Sequence, residues 1–250
     1  MPLFTRTRTN PVFYRDRIEA LLSDEPQRVE RMRTEPGSLD LLTWNVFASL
    51  DTHRDQAWLA YRLQALGGAN LRAPVRMSLF SGAQRMPYLR SSAAYLDALH
   101  RRTGDDGDER SPGMRAFEQP IEVPVRIETP DVLVLVDTGL ERLRPGAGGR
   151  DRMAELVDTG LEHARRLSSS LAIAVIANAG SALLETRIPA LGEADAVARL
   201  LPWRRNIPPV TFHGLSWSRL LQLWREEQRD LDLDGQPVRG FQTYARQAAR

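Results

Sequence analysis

The spacing of apolar residues changes along the chain, and the change separates a helical part from a strand-forming part. Up to about residue 102, apolar side chains recur every three or four positions, as on one face of an α-helix. This pattern predicts helices over residues 12–32, 39–50, 56–66 and 91–102. Residues 70–88 are irregular, and the polar stretch 103–113 is predicted to be an exposed loop.

From Ile121 the period becomes that of a β-strand. The segment IEVPVRI alternates apolar and polar residues, and DVLVLVD, which follows Thr129 and Pro130, is apolar throughout. A strand buried on both faces has such a run, so this segment is predicted to lie at the centre of a sheet. A helix over residues 150–167 then leads to the apolar strand LAIAVIA. Strand, helix and strand predict a crossover between parallel strands and an α/β fold.

The remaining segments complete the predicted organisation. After Thr138 and Gly139, residues 140–143 are predicted to return as a short hairpin strand before the glycine-rich residues 145–149. A strand ending near Arg187, a helix over 193–201, a segment reaching 210–212 and an amphipathic helix capped by Ser216 follow. We predict one α/β domain over residues 1–230, with a helical part at 1–102, a sheet core at 118–213, a closing helix at 216–230 and a tail at 231–250.

Composition excludes several kinds of chemistry. The 250 residues contain no cysteine, which rules out disulfides, thiol catalysis and cysteine metal sites. All 34 basic residues are arginine, so lysine-dependent chemistry is excluded as well. With 32 acidic residues the net charge is only +2, which is not the charge of a protein that coats nucleic acid. The chain shows neither a signal peptide nor an apolar run of about 20 residues, so we expect a cytoplasmic protein without membrane contact.

Four segments, taken in order, resemble the PD-(D/E)XK nuclease superfamily. They are LTWNVFASL, ETPDVLVLVD, DTGLERLRP and LSWSRLLQL, and they lie between residues 38 and 227. The resemblance implies a restriction-endonuclease-like fold, in which helices flank a mixed central sheet. It also implies a bacterial protein of defence or genome maintenance that hydrolyses phosphodiester bonds in DNA, or in RNA, with Mg²⁺ or Mn²⁺.

The resemblance also assigns the acids of a metal site. Asp131, after Pro130, is the first candidate ligand, although an acid after proline can simply begin a strand. Asp40 is the second, although the helix dipole alone favours an acid in the first turn. Glu141 on the returning strand is the third. Oxygen ligands of this kind suit a hard divalent cation that orients water at a phosphate.

The lysine of the family pattern is missing. Leu143 occupies its place, and Arg142 and Arg144 are the nearest cations. Arginine stays protonated and cannot act as a base, so Arg142 and Arg144 are predicted to bind phosphate. The alternative hypothesis is therefore a non-catalytic structural or nucleic-acid-binding subunit of a larger complex with protein partners.

Two further alternatives start from other features of the sequence. Asp137-Thr138-Gly139 has the triplet of aspartic proteases, and the hexapeptide VDTGLE occurs at Val136 and again at Val157. The copies are too close for two protease lobes, and the second falls in a helical pattern, so a turn is the favoured interpretation of the first. A small-molecule enzyme on an unrelated α/β fold stays open because a fold does not fix a function.

Overall fold

The computed structural model describes residues 9–68, 71–103, 119–144, 146 and 150–248. The predicted loop at 103–113 and the glycine-rich stretch 145–149 lie mostly outside these residues. The described residues fall into two compact units. Unit one comes from Met1–Arg54 and Trp217–Arg250, and unit two from Asp55–Ser216.

The helices and strands are numbered in chain order. The helices are α1 (Arg15–Leu21), α2 (Pro26–Thr34), α3 (Leu39–Leu50), α4 (Gln56–Gly67), α5 (Ala93–Thr103), α6 (Arg152–Leu167), α7 (Ile188–Ala190), α8 (Ala196–Leu200), α9 (Trp217–Glu226) and α10 (Val238–Ala248). The strands are β1 (Arg76–Ser81), β2 (Val123–Glu128), β3 (Val132–Thr138), β4 (Ser170–Ala177) and β5 (Val210–Ser216). A π-helical turn, Leu183–Arg187, leads into α7. No helix of the described residues has the length and apolar character to cross a bilayer.

Unit one is built of helices around an aromatic core. Phe13 packs against Trp224 and Phe241 with ring centroids 6.0 and 5.1 Å away. Helix α3 holds the segment before α1, because Trp44 Nε1 donates to the Phe13 carbonyl at 2.6 Å and the fully buried Asn45 side chain accepts from Phe13 N at 2.9 Å. The Trp44 and Asn45 of the LTWNVFASL segment therefore have a structural role.

Unit two contains the predicted α/β core. Its five-stranded sheet has the order β1-β2-β3-β4-β5, with β1, β2 and β3 antiparallel and β3, β4 and β5 parallel. Strand β3 is central and buried along its whole length, and α6 carries the chain from β3 to the parallel β4. The predictions of a mixed sheet flanked by helices, a central apolar strand and a strand-helix-strand crossover are confirmed.

Helices cover both faces of this sheet. Leu133 and Leu135 lie in the apolar core that includes α6, whereas Val134 points to α4, where a Cβ on Gly67 would come within 2.7 Å of its methyl group. Gly160 allows α6 to approach closely, since a Cβ there would lie 2.8 Å from Leu171. Successive side chains of β3 therefore pack against opposite layers, as its unbroken apolar run indicates.

Four local predictions differ from the structure. Residues 76–81, within the stretch predicted to be irregular, form the edge strand β1. Residues 140–143 form a tight loop with a single bridge between Gly139 and Leu143, because the hairpin partner of β3 is β2 and not the segment that follows. Leu183–Arg187 is π-helical rather than extended. The predicted helix 12–32 is divided into α1 and α2, because Pro26 begins a new helix.

Candidate functional site

An acid lies at the carboxyl end of the central strand of unit two. Asp137 is the penultimate residue of β3, and its carboxylate is 4% exposed. One oxygen accepts from Thr138 N at 3.0 Å, and the other accepts from Arg152 Nε at 2.7 Å. A buried carboxylate requires such partners, because an unpaired charge in the interior is strongly disfavoured.

The first turn of α6 and the residues just before it bring two arginines and a second acid to this end of β3. Arg152 also donates from Nη1 to Glu155 at 3.0 Å and from Nη2 to the Glu122 carbonyl at 2.6 Å. Arg150 Nη2 lies 2.6 Å from the other oxygen of Glu155. Burial lowers the pKa of the Arg152 guanidinium, but the neighbouring Asp137 and Glu155 outweigh it, so the pKa is raised. Arg152 is therefore a permanent cation, and we call Asp137, Arg150, Arg152 and Glu155 the ion-pair cluster.

The cluster adjoins a cavity of about 210 Å³ at this end of the sheet. Asp137, Thr138, Glu122 and Arg144 are among its lining residues, together with residues of the cluster and Gly146. Glu122 Oε2 lies 3.8 Å from Arg85 Nη1, so a further ion pair stands at its side. Ligands of open α/β sheets bind beyond the carboxyl ends of the strands, and this cavity has that position.

The cluster as a whole carries balanced charge. Asp137 faces Arg152, and Glu155 faces both Arg150 and Arg152. A hard cation would have to compete with these guanidinium groups for the same carboxylate oxygens. The arrangement fixes the position of α6 against β3. The exposed Arg144 also lines the cavity, and a guanidinium group can donate to an anionic ligand.

Asp131, the first predicted ligand, lies at the opposite end of β3. Thr129, Pro130 and Asp131 form the turn between β2 and β3, in which Thr129 Oγ1 accepts from Val132 N at 3.1 Å. The Asp131 side chain is exposed, and its carbonyl accepts from Ser170 N at 2.9 Å. Because β3 has seven residues, Asp131 and the far end of the strand are separated by roughly 20 Å.

Glu141, the third predicted ligand, lies beyond the other end of β3. It is exposed and accepts from Asn178 Nδ2 at 3.3 Å. Arg142 and Arg144 are exposed in the same loop, while Leu143 between them is buried. The loop is tight, since a Cβ on Gly139 would lie 2.5 Å from the Arg142 carbonyl. The structure therefore brings Glu141, Arg142 and Arg144 to the cavity end of the sheet and does not bring Asp131 there.

Asp40, the second predicted ligand, belongs to unit one. Its carboxylate accepts from Arg28 Nε at 2.8 Å, and both side chains are largely buried. Ser38 caps α3 by accepting from Leu41 N at 3.3 Å, so Asp40 stands in the first turn of that helix. Since Asp131 belongs to the other unit, the metal site that Asp40 and Asp131 are predicted to share stays a prediction.

The sequence interpretation overlooked the members of the ion-pair cluster. One signal was present in the sequence, because Asp137 directly follows the apolar run 132–136. Glu155 gives no such signal, since its spacing from Met153 and Val157 places it on the polar side of the predicted helix. A charged residue at a buried position indicates a buried partner of opposite charge.

A second acid of α6 is buried in the same way. Asp158 is fully buried and accepts from Arg204 Nε at 2.6 Å, from Trp203 Nε1 at 3.1 Å and from Ser92 N at 2.7 Å. These bonds tie α6 to the start of α5 and to the segment before β5. The helix that carries Arg152 and Glu155 is thereby held at both its first and its second turn.

Comparisons with protein-family models, with curated proteins and with solved structures find no match to this chain. Within the described residues, no three His, Cys, Asp or Glu side chains are grouped as ligands of a metal ion. The geometry at the carboxyl end of β3 is therefore the main indication of a function.

Proposed function

We propose that this chain is a PD-(D/E)XK-like protein that binds DNA at the carboxyl end of β3 without efficient hydrolysis. The observation that carries the proposal is the ion-pair cluster, in which Asp137 and Glu155 are engaged by arginines at 2.6 to 3.0 Å. Carboxylates bound in this way stabilise the fold. The phosphates would bind to the exposed arginines at this end of the sheet.

The order of the elements supports this proposal. The resemblance implies a hairpin, then a helix, then a strand, and the chain has β2, a tight turn, β3, α6 and β4 in this order. On this alignment the acid of the second hairpin strand is Asp137 rather than Glu141. The family's lysine would stand two residues after this acid, and that position is Gly139. The lysine is therefore missing whether the acid is Glu141 or Asp137.

The chemistry of arginine supports binding over catalysis. Arg152 is the cation paired with Asp137, and its raised pKa keeps it protonated, so it cannot act as a base. The exposed Arg142 and Arg144 lie at the same end of the sheet and can each donate two hydrogen bonds to a phosphate. DNA backbone binding by a few arginines is weak at physiological salt and stronger at low salt.

Binding of a fluorescent DNA duplex and of its single strand, measured by anisotropy at several salt concentrations, tests the proposal. The variant is Arg142→Ala/Arg144→Ala, which removes both exposed loop cations. The matched control is Arg165→Ala/Arg166→Ala, because Arg165 and Arg166 are an exposed pair in the last turn of α6. Both variants lower the net charge equally, so a general charge effect would appear in both.

We expect the loop variant to bind DNA about tenfold more weakly at low salt. In a plot of the logarithm of the binding constant against the logarithm of the salt concentration, the magnitude of its slope should fall by about 2, roughly one for each lost phosphate contact. The control should bind as the wild-type protein does. Absence of DNA binding by the wild-type chain, or equal losses in the two variants, would contradict the proposed function.

A further inference from the structure

A short loop beside the cavity has a defined conformation. Residues 82–90 connect β1 to α5, and the loop is closed by Gly82 N donating to the Arg85 carbonyl at 2.9 Å and Leu89 N donating to the Gly82 carbonyl at 2.7 Å. Leu89 is fully buried, and its carbonyl accepts from Ile121 N at 2.8 Å. The base of the loop is therefore attached to the segment that enters β2.

The backbone at the start of the loop requires particular residues. Gly82 has φ of 109°, and a Cβ there would lie 2.3 Å from the Ile121 carbonyl. Phe80, two residues earlier, has φ of 48°, which is unfavourable for a bulky side chain. Strained backbone of this kind persists where the surroundings determine it, and it is enriched at binding sites.

The tip of the loop exposes apolar side chains to solvent. Met86 is 69% and Tyr88 is 42% exposed. Arg85 and the exposed Arg90 flank them in the sequence. Burial of a large apolar side chain stabilises a fold by about 2 kcal/mol, so these two side chains, exposed on an ordered loop, contribute little to stability. An aromatic ring between arginines is the combination that binds bases of a nucleic acid.

The tip also adjoins the proposed phosphate site. Arg85 Nη1 lies 3.8 Å from Glu122 Oε2, and Glu122 lines the cavity together with Arg144. Arg85 of the loop and Arg144 are thus both next to this cavity, so a single strand that binds there can contact Arg144 and the loop.

We infer that Tyr88 stacks on an unpaired base of the DNA strand whose phosphates contact Arg142 and Arg144. This inference rests on the proposed function and specifies it further, because it assigns single-stranded DNA as the preferred ligand. A duplex keeps its bases stacked on one another, so a ring at the rim of the cavity gains nothing from it. Positive charge beside the ring favours a nucleic acid over an apolar protein partner.

Tyr61 provides a matched comparison within unit two. It is 61% exposed on α4, where the Arg62 guanidinium lies 5.1 Å from its ring centroid and 5.5 Å from that of Trp58. Helix α4 packs on β3, β4 and β5, whereas the loop of residues 82–90 follows β1 at one edge of the sheet. Tyr61 thus has the same ring and similar exposure without the neighbouring phosphate site.

The test uses wild type, Tyr88→Ala, Tyr88→Phe and Tyr61→Ala with a single-stranded oligonucleotide that contains one 2-aminopurine, and with the corresponding duplex. We expect Tyr88→Ala to weaken single-strand binding roughly tenfold and to abolish quenching of the fluorescent base, since stacking of one base has an effect of this size. Tyr88→Phe, which keeps the ring, and Tyr61→Ala should bind as the wild type does. Duplex binding should change less than twofold in all of them.

The two proposals can fail separately. If the wild-type protein binds no DNA, the proposed function is contradicted and the inference with it. If the wild type binds and depends on Arg142 and Arg144, but Tyr88→Ala binds single strands with unchanged affinity, only the inference is overturned. A thermal melt of each variant by circular dichroism shows that the fold is intact, which the exposure of both tyrosines leads us to expect.

Discussion

Arg152 Nε, at the first position of α6, lies 2.7 Å from the carboxylate of Asp137, the penultimate residue of β3. This ion pair joins the helix to the strand it follows, and the sequence between them runs over the 13 residues from Gly139 to Asp151. In this ion pair Arg152 engages the carboxylate that, on the proposed alignment with the nuclease pattern, would be a metal ligand. The same contact therefore has a structural consequence and a functional one.

Removal of one partner of this pair should destabilise the protein strongly. Asp137→Asn leaves a buried guanidinium with Glu155 as its remaining acid, and the expected loss is about 3 kcal/mol in the free energy of unfolding. Arg152→Met should cost a similar amount. A urea-unfolding double-mutant cycle measures the coupling, which we expect to be about 2 kcal/mol. If Asp137→Asn were as stable as the wild type or more so, the carboxylate would belong to a repulsive acidic site and not to an ion pair.

Protonation of His163 should lower stability in mildly acidic solution. His163 Nε2 lies 2.5 Å from the Nη2 of the buried Arg126, and burial, Arg126 and Arg166 lower the pKa of His163 to about 4. In the unfolded chain it returns to about 6.5, so the unfolded state binds more protons between pH 4 and 6.5. The free energy of unfolding is therefore not reduced by His163 above pH 7. It falls as the pH decreases towards 4, because the unfolded chain then takes up a proton that the folded protein does not.

The loss attributable to His163 should be about 1 to 2 kcal/mol between pH 7 and pH 5. Urea unfolding of the wild type and of His163→Gln at both pH values measures it, since glutamine keeps an acceptor for Arg126 and does not titrate. The difference between the two proteins isolates His163 from carboxylates that titrate in the same range. Equal pH dependence in both would show that His163 is protonated alike in the folded and unfolded states.

Two helical glycines should respond oppositely to alanine. A Cβ on Gly160 would lie 2.8 Å from both Leu171 methyl groups and 3.1 Å from Leu135, whereas a Cβ on Gly240 would lie 3.4 Å from Pro11. Alanine favours a helix by about 1 kcal/mol, but overpacking of a core costs about 1 to 3 kcal/mol. We therefore expect Gly160→Ala to lower the melting temperature and Gly240→Ala to raise it. A rise in both would mean that α6 can move away from the sheet at little cost.

The hexapeptide VDTGLE shows why the main elements could be predicted from sequence. At Val136 it ends a strand and makes a turn, and at Val157 it lies within α6. The two copies are identical in sequence, so the flanking residues determine which secondary structure each adopts. The first copy continues an apolar run that begins at Val132, and the second continues a helical pattern that begins at Met153. Patterns of this length predicted β3, α6 and β4 correctly.

The candidate site could be predicted only in part, because it depends on pairings that are distant in sequence. Asp131 and Glu141 surround one apolar strand, and the sequence does not show whether that strand pairs with the segment before it or after it. Pairing with β2 makes residues 129–131 a turn and sends Asp131 and Glu141 to opposite ends of β3.

The most direct test of the account measures DNA binding and DNA cleavage in the same samples, with Mg²⁺ and separately with Mn²⁺. Wild type, Asp137→Ala, Asp131→Ala and Arg142→Ala/Arg144→Ala are incubated with labelled single-stranded and duplex DNA, with anisotropy reporting binding and a denaturing gel reporting products. We predict DNA binding by the wild type that is about tenfold weaker in the arginine variant at low salt, and no metal-dependent products from any protein. Metal-dependent products that disappear in Asp137→Ala or Asp131→Ala, in a variant that still folds, would contradict the account and establish a catalytic metal site; products of equal amount in every protein would indicate a contaminating nuclease.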